Sequence, residues 1–354
     1  PFAAPSKAAA PLTIPTASGV SPARGNLPAV PAAAYDRIAQ QCRAIFAIED
    51  AAKRKAAFET LVRATTDVTG LKAIVETMLW LSLASDHVSD PAEFDSFWDI
   101  LAKRDVNTAV SLIESCPVLW HTDAASKVMR EWAAKDPLAA MRWLQGAERL
   151  TGHSLDEATL SLIRGYASRD LKAATAYALS IVKPDEGFFN RVSTELTGDI
   201  VQKSGTEGLL AWFAALPEGP AKQEIFNIVG ARLGKLNPTQ MRQWLDAEAG
   251  NSHRNDETYR VFIAQMAKTD PRAAMDYALN LPPSPHQPGA FVGVGSASFE
   301  WLARDRAAFA NYYQSLPVGV QREAIVKALQ EALNDPDLPI KKGLPALWFI
   351  EGLR

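Results

Sequence analysis

The sequence predicts an all-α fold, an α-solenoid of about seven helical hairpins with helical caps and an extended N-terminal arm. Three observations predict it. The first is a recurring phrase in which Asp, Asn or Gly, often followed by Pro, precedes small residues and then an aromatic ring seven positions after the anchor. It reads Asp136-Pro137-Leu138-Ala139-Ala140-Met141-Arg142-Trp143 and again Asp270-Pro271-Arg272-Ala273-Ala274-Met275-Asp276-Tyr277, with looser copies anchored at Asp105, Asp170, Gly205, Asn237 and Asp305. The anchors are 31, 34, 35, 32, 33 and 35 residues apart, and a period in that range marks stacked helical hairpins. The second is an apolar residue four before each anchor: Leu101, Trp132, Tyr166, Val201, Leu233, Met266 and Trp301. The third is the stop that follows several copies, as Cys116-Pro117, Leu216-Pro217, Leu281-Pro282 and Leu316-Pro317, since proline cannot continue a helix.

Taken in order, residues 1–34 hold seven Pro and eleven Ala with only Lys7 and Arg24 charged. Such a segment buries too little to offset its ordering entropy and reads as a flexible arm. It is expected to become ordered only when docked on a partner. Arms of this composition follow export signals or anchors in envelope proteins, which points to an extracytoplasmic setting. Residues 35–89 read as N-terminal capping helices, with Tyr35, Ile38, Cys42 and Ile45 on one helical face. Asp90-Pro91 opens the repeat region over 90–333. The segment 334–354 reads as a C-terminal cap in which Trp348 and Phe349 cover the last hairpin. The Pro-rich loop at 282–288 reads as stiff and exposed, and the small residues Gly293 to Ser298 as a slender helix suited to close packing.

Each repeat has a physical logic. Asp136 has the short acceptor side chain preferred at an N-cap, and Pro137 suits the first helical position, where its missing N–H costs nothing. Ala139 and Ala140 admit a neighbouring helix, and Trp143, on the face of Ala140, is expected to fill the core against the preceding helix. The unit is a helix A of about twelve to fourteen residues, a tight turn at the anchor and a helix B of about ten. Neither helix buries its apolar stripe alone, so units must stack.

The run Glu131-Trp132-Ala133-Ala134-Lys135-Asp136-Pro137, followed by Ala139, Ala140 and Trp143, resembles tetratricopeptide-like and Sel1-like helical repeats. More closely it is similar to the Trp-Ala-x-x-Asp-Pro-x-Ala-Ala-x-x-Trp repeats of bacterial proteins, many of them exported. The resemblance covers about residues 90–333. It implies scaffolding and protein binding, and it supplies no catalytic residue.

Composition narrows the chemistry. The chain has 354 residues, 47% hydrophobic and 22% charged, with a formal net charge of −3. That balance offers no basic field for nucleic acid, and no stretch is long and apolar enough to span a bilayer. Cys42 and Cys116 define neither a disulfide framework nor a zinc site. His87, His121, His153, His253 and His286 lie 15 to 19 residues before their anchors and are expected as surface loop residues along one rim, too widely spaced to share a metal. Gly293-Val294-Gly295-Ser296-Ala297-Ser298 lacks both the preceding strand and the closing Lys of a phosphate loop. Acidic pairs such as Asp95 with Asp99 and Asp156 with Glu157 read as solvated faces and caps. Rings at Trp143, Tyr177, Trp212, Trp244, Tyr277 and Tyr312 read as core. No catalytic, cofactor-binding or metal-binding residue stands out, and no cofactor is implied. The expected function is a non-enzymatic scaffold or structural subunit that holds other proteins through its surface and arm. Two alternatives stand beside it: a carbohydrate- or peptidoglycan-active enzyme on helical hairpins, which needs facing carboxylates, and an RNA-binding array, which needs a continuous Lys/Arg stripe.

Overall fold

The structure, a computed structural model, describes residues 32–84, 91–116, 119, 123–181, 187–282, 284, 291–334 and 340–352. Among these residues there are eighteen helices and no strand, and no helix is long and apolar enough to cross a membrane. The chain divides into two compact units, Pro1–Phe94 and Asp95–Arg354.

In the first unit α1 (Ala32–Phe46) packs chiefly on α3 (Val68–Ala84), with α2 (Ala51–Ala64) beside it. Asp50 caps α2 by accepting from the Lys53 amide at 3.0 Å. Cys42, Phe58, Val62, Leu71 and Ile74 are wholly buried, and burial pushes the Cys42 thiol up to about 12. The Tyr35 hydroxyl donates to Glu76, and that bond, helped by burial, raises the phenol to about 12. The arm expected over 1–34 lies outside the described residues as far as residue 31. Its last three residues, Ala32, Ala33 and Ala34, are already helical, because alanine is the strongest helix former.

The boundary falls within α4 (Pro91–Arg104), and the second unit runs on through helix pairs: α5 (Val106–Ser115); α6 (Ala124–Lys135) with α7 (Pro137–Gly146); α8 (Gly152–Arg169) with α9 (Leu171–Ile181). The long α10 (Gly187–Ala214) is broken at Gly205. Then follow α11 (Pro220–Leu236) with α12 (Pro238–Glu248), α13 (Asp256–Ala267) with α14 (Pro271–Asn280), α15 (Val294–Arg304) with α16 (Arg306–Ser315), and α17 (Val320–Leu333) with α18 (Ile340–Glu351).

One residue at each turn serves two helices. The Asp136 amide donates back to the Trp132 carbonyl at 2.7 Å, ending α6, while its carboxylate accepts from the Ala139 amide at 3.0 Å, starting α7. Asp105, Asp170, Asn237, Asp270 and Asp305 repeat both bonds. These bonds satisfy backbone groups that helix ends otherwise leave orphaned. Gly205 has no side chain to cap with. It turns the chain by adopting φ 67°, ψ −170°, open to glycine and strained for other residues.

Helices A pack on helices A of neighbouring repeats, α6 on α8 most extensively, then α13 on α15 and α15 on α17, while α7 and α14 also touch the next helix A. Gly165 permits the tightest of these approaches: a Cβ built there would stand 2.2 Å from the Arg130 carbonyl oxygen. A core cluster runs from Phe189 to Ile350; within it the Phe226 ring lies 4.4 Å from the Trp244 ring and 5.8 Å from Phe213.

The rings seven after the anchors divide. Trp212, Trp244 and Tyr312 are buried, whereas Trp143, Tyr177 and Tyr277 are only half-buried, which corrects the expectation that all are core. Several rings carry a polar edge that reaches the preceding helix B. Trp143 Nε1 donates to Glu114 at 2.9 Å, Trp212 Nε1 to Thr175 at 2.9 Å, and the Tyr312 hydroxyl to Asp276 at 2.6 Å. Such rings sit at the border of core and solvent. At the C-terminal end Phe349 packs on Phe309 and Tyr313 at 4.9 and 5.3 Å. Trp348 does not cover the hairpin as expected: it is half exposed, with Arg306 over its face at 5.6 Å.

Two of the connections after helix B share a closure. Leu216 and Leu316 are each followed, three residues on, by a glycine with positive φ, Gly219 at 148° and Gly319 at 141°. A cation six residues on returns to the leucine carbonyl: Lys222 to Leu216 at 3.4 Å, Arg322 to Leu316 at 2.9 Å. Each cation also lies over a ring, Phe213 or Tyr313. In the first unit Arg54 makes the same six-residue return to the Ile48 carbonyl at 3.2 Å.

Candidate functional site

The C-terminal halves of α6, α8 and α10 frame an open cleft of about 420 Å³, lined among others by Arg130, Ala134, Arg164, Gly165, Gln202 and Lys203. Small residues at Ala134, Gly165 and Ala167 keep its floor low. Arg164 ties α8 to α10 across it: Nε and one terminal nitrogen reach the two Asp199 oxygens at 2.7 Å, and the other terminal nitrogen reaches Glu195 at 2.7 Å. The Asp199 hydrogen bonds raise the guanidinium further above its ordinary value. Asp199 and Glu195 are thus both held by one arginine; the lining also includes Glu131, half-buried on α6, and neither His nor Cys. The polar groups left toward solvent are Arg130, Gln202, Lys203 and Ser204, all exposed. A second cleft of about 370 Å³ lies between α10 and α11, lined by Thr194, Asn227, Ala231, Arg232 and Lys235 among others. Here Arg232 donates to the Thr194 carbonyl at 2.9 Å, and its guanidinium lies over Gly198.

Alongside the first cleft runs a row of cations overlooked by the reading of the phrase. Every anchor has Lys or Arg one or two positions before it: Arg104, Lys135, Arg169, Lys203, Lys235, Lys268 and Arg304. All are exposed. The head groups of four of them reach back to the end of the previous helix A. Lys135 donates to the Lys103 carbonyl at 3.0 Å, Arg169 to Lys135, Lys203 to Ser168 at 3.3 Å, and Arg304 to Lys268 at 2.7 Å. A cation at a helix C-terminus is favoured by the macrodipole, so these residues staple one turn to the next. The signal was visible in the sequence as a basic residue one or two positions before each anchor. Its partner, 32 to 36 residues upstream, was not.

The histidine rim is not reproduced. His153 is exposed, 3.8 Å from Glu157, but His253 is buried, with Nδ1 2.8 Å from Glu218 and Nε2 2.7 Å from Glu248. Both ring nitrogens are thus within hydrogen-bond reach of a carboxylate. Lys222 joins the cluster at 2.7 Å from Glu218, and these bonds hold the Glu218 carboxyl below its ordinary range. The next residue, Arg254, is wholly buried, 3.0 Å from Asp256, donating to the Ala249 and Pro282 carbonyls and lying over Tyr259. His253 and Arg254 thus pin the connection before α13. His87, His121 and His286 lie outside the described residues, as does most of the loop expected at 282–288. Of that loop, Pro282 is exposed but Ser284 is buried and donates to Asp256.

The acidic pairs serve as ties between helices: Asp95 meets Lys127 at 3.2 Å, and Glu157 meets Arg191 at 2.8 Å. Among the described residues no group of three or more His, Cys, Asp or Glu is arranged to hold a metal ion. The chain matches no known family model, no curated protein and no solved structure.

Proposed function

We propose that residues 90–333 form an α-solenoid of about seven hairpins of the tetratricopeptide-like kind, and that the chain is a non-enzymatic scaffold. It holds another protein along the exposed faces of its A helices. The observation that carries this reading is the cleft over α6, α8 and α10. It spans three successive hairpins, has a low floor of small residues, and offers exposed donors and acceptors at its edge. Shallow, repeated surfaces of this kind suit an extended partner. The carbohydrate-active alternative needs a carboxylate free to give or take a proton at a reacting atom. Of the two acids that line the cleft, Asp199 is committed to Arg164 together with the neighbouring Glu195, which leaves Glu131 as the one lining carboxylate outside that pairing, where the alternative calls for a facing pair.

Site-specific photo-crosslinking in cells tests the proposal. A photoreactive residue at Ala134 or Gln202 is expected to trap one discrete protein, and the same residue at Gln145 on helix α7 is not. Equal, diffuse crosslinking from all three positions would refute a binding face on the A helices.

A further inference from the structure

Within two residues of the seven anchors there are eleven basic and six acidic side chains, a net charge of +5 in a chain whose total is −3. The positive charge is therefore concentrated on the turns, and the rest of the chain is acidic. The two signs are differently placed there. The anchor carboxylates accept from backbone amides at the start of helix B, so the macrodipole offsets part of their charge. Lys135, Arg169 and Lys203 spend one or two donors on neutral carbonyls, and Lys has three donors and Arg five. Each of these head groups rests on the turn before it, so the row is continuous from Lys103 to Lys203, along the edge of the cleft that Lys203 and Ser168 also line.

We infer that this row of turns docks an extended acidic segment of a partner protein, with a carboxylate at about every third residue. Packed helices lie about 8–10 Å apart and an extended chain rises about 3.3 Å per residue, so a third-residue period places one carboxylate at each cation. The residues between present backbone amides to the interleaved anchor carboxylates. A nucleic acid fits less well, since its phosphates follow one another at roughly 3.4 Å along a strand and would meet Asp136 and Asp170 between the cations. The inference rests on the scaffold reading and names the chemistry of its partner.

The test uses the full chain and fluorescently labelled peptides of identical composition. One repeats Glu-Gly-Ser six times; the other gathers the six Glu residues at one end. The regular peptide is expected to bind about tenfold more tightly. Its binding should weaken as salt shortens the Debye length from about 30 Å at 0.01 M to about 8 Å at 0.15 M, and by about tenfold in K135Q/R169Q/K203Q. Because the peptide comparison is made on the unaltered protein, it stands even where the triple variant unfolds. Equal affinity for the two peptides, no binding at about 1 mM, or tighter binding of an oligouridylate of the same length would each overturn the inference. Retained crosslinking from Ala134 and Gln202 beside failed peptide binding removes the strip and spares the scaffold. Loss of both removes the scaffold.

Discussion

Replacing Gly165 with alanine adds one methyl group at the closest approach of two helices. In an ordinary exposed helix interior the change gains about 1 kcal/mol through propensity. Here the new Cβ would lie 2.2 Å from the Arg130 carbonyl oxygen, 3.0 Å from its carbon and 3.1 Å from Ala133 Cβ, against the 3.4–4 Å of ordinary contact. The obstacle is backbone, which cannot rotate aside, so α6 and α8 must part by about 1 Å. A gap of that size forfeits a quarter to a half of the dispersion across it, and overpacking of this kind costs about 1–3 kcal/mol. Because this is the most extensive helix pair, we take the upper end, about 3 kcal/mol, and after the propensity gain expect a net loss of about 2 kcal/mol. Urea unfolding measures the total, and hydrogen exchange shows whether protection falls first in α6 and α8. Gly146, which has nothing within 4 Å of a built Cβ, is the control: Gly146→Ala should be neutral or stabilise by up to about 1 kcal/mol. A Gly165→Ala chain as stable as the parent, with undiminished protection in both helices, would refute the close-approach argument.

Further outcomes follow from the same contacts. Trp244→Ala, which empties a buried site against Phe226 and Phe213, should destabilise by about 3–5 kcal/mol; half-buried Trp143→Ala should cost less than half as much, and denaturant midpoints that rank the two the other way would contradict the burial pattern. Asp270→Ala removes the cap on the Ala273 amide and should cost about 1 kcal/mol, with Asp270→Asn nearly neutral, both measured by urea unfolding. The Thr108 hydroxyl, donating at 2.6 Å, holds Asp105 below the ordinary carboxylate range. Its contribution to stability is therefore complete above the unfolded value of about 3.9 and is lost as pH falls through the lower folded value. Thr108→Val should weaken that acid dependence, and an unchanged stability profile between about pH 2 and 5 would exclude the bond as its source.

The anchors were legible because one residue does two local jobs. A residue that ends one helix and starts the next needs a short acceptor side chain, and proline at the following position needs no amide, so Asp136-Pro137 and Asp270-Pro271 declare themselves without reference to anything distant. What lay hidden depends on neighbours about a repeat away. Whether the ring at the seventh position is buried, as Trp244 is, or half-buried, as Trp143 is, depends on the helix B before it. His253 could not be placed between Glu218 and Glu248 from spacing alone, because one acid comes from the connection before α11 and the other from the end of α12. The carbonyls that Lys135 and Arg169 reach lie 32 and 34 residues upstream, beyond any local pattern. Gly205 was recognisable as an anchor, but its left-handed φ, which replaces the missing side-chain cap, was not.

The side-chain bonds that join one described helix to another span no more than 41 residues: 14 for Tyr259 with Leu245 and 41 for Tyr35 with Glu76. Partners so near along the chain are brought together at small loop-closure cost, which favours rapid folding. During synthesis each segment finds what it needs soon after leaving the ribosome, without waiting for the far terminus. A ribosome that stalls late would therefore leave behind a folded stump, and damage to one stretch would be felt mainly by those beside it.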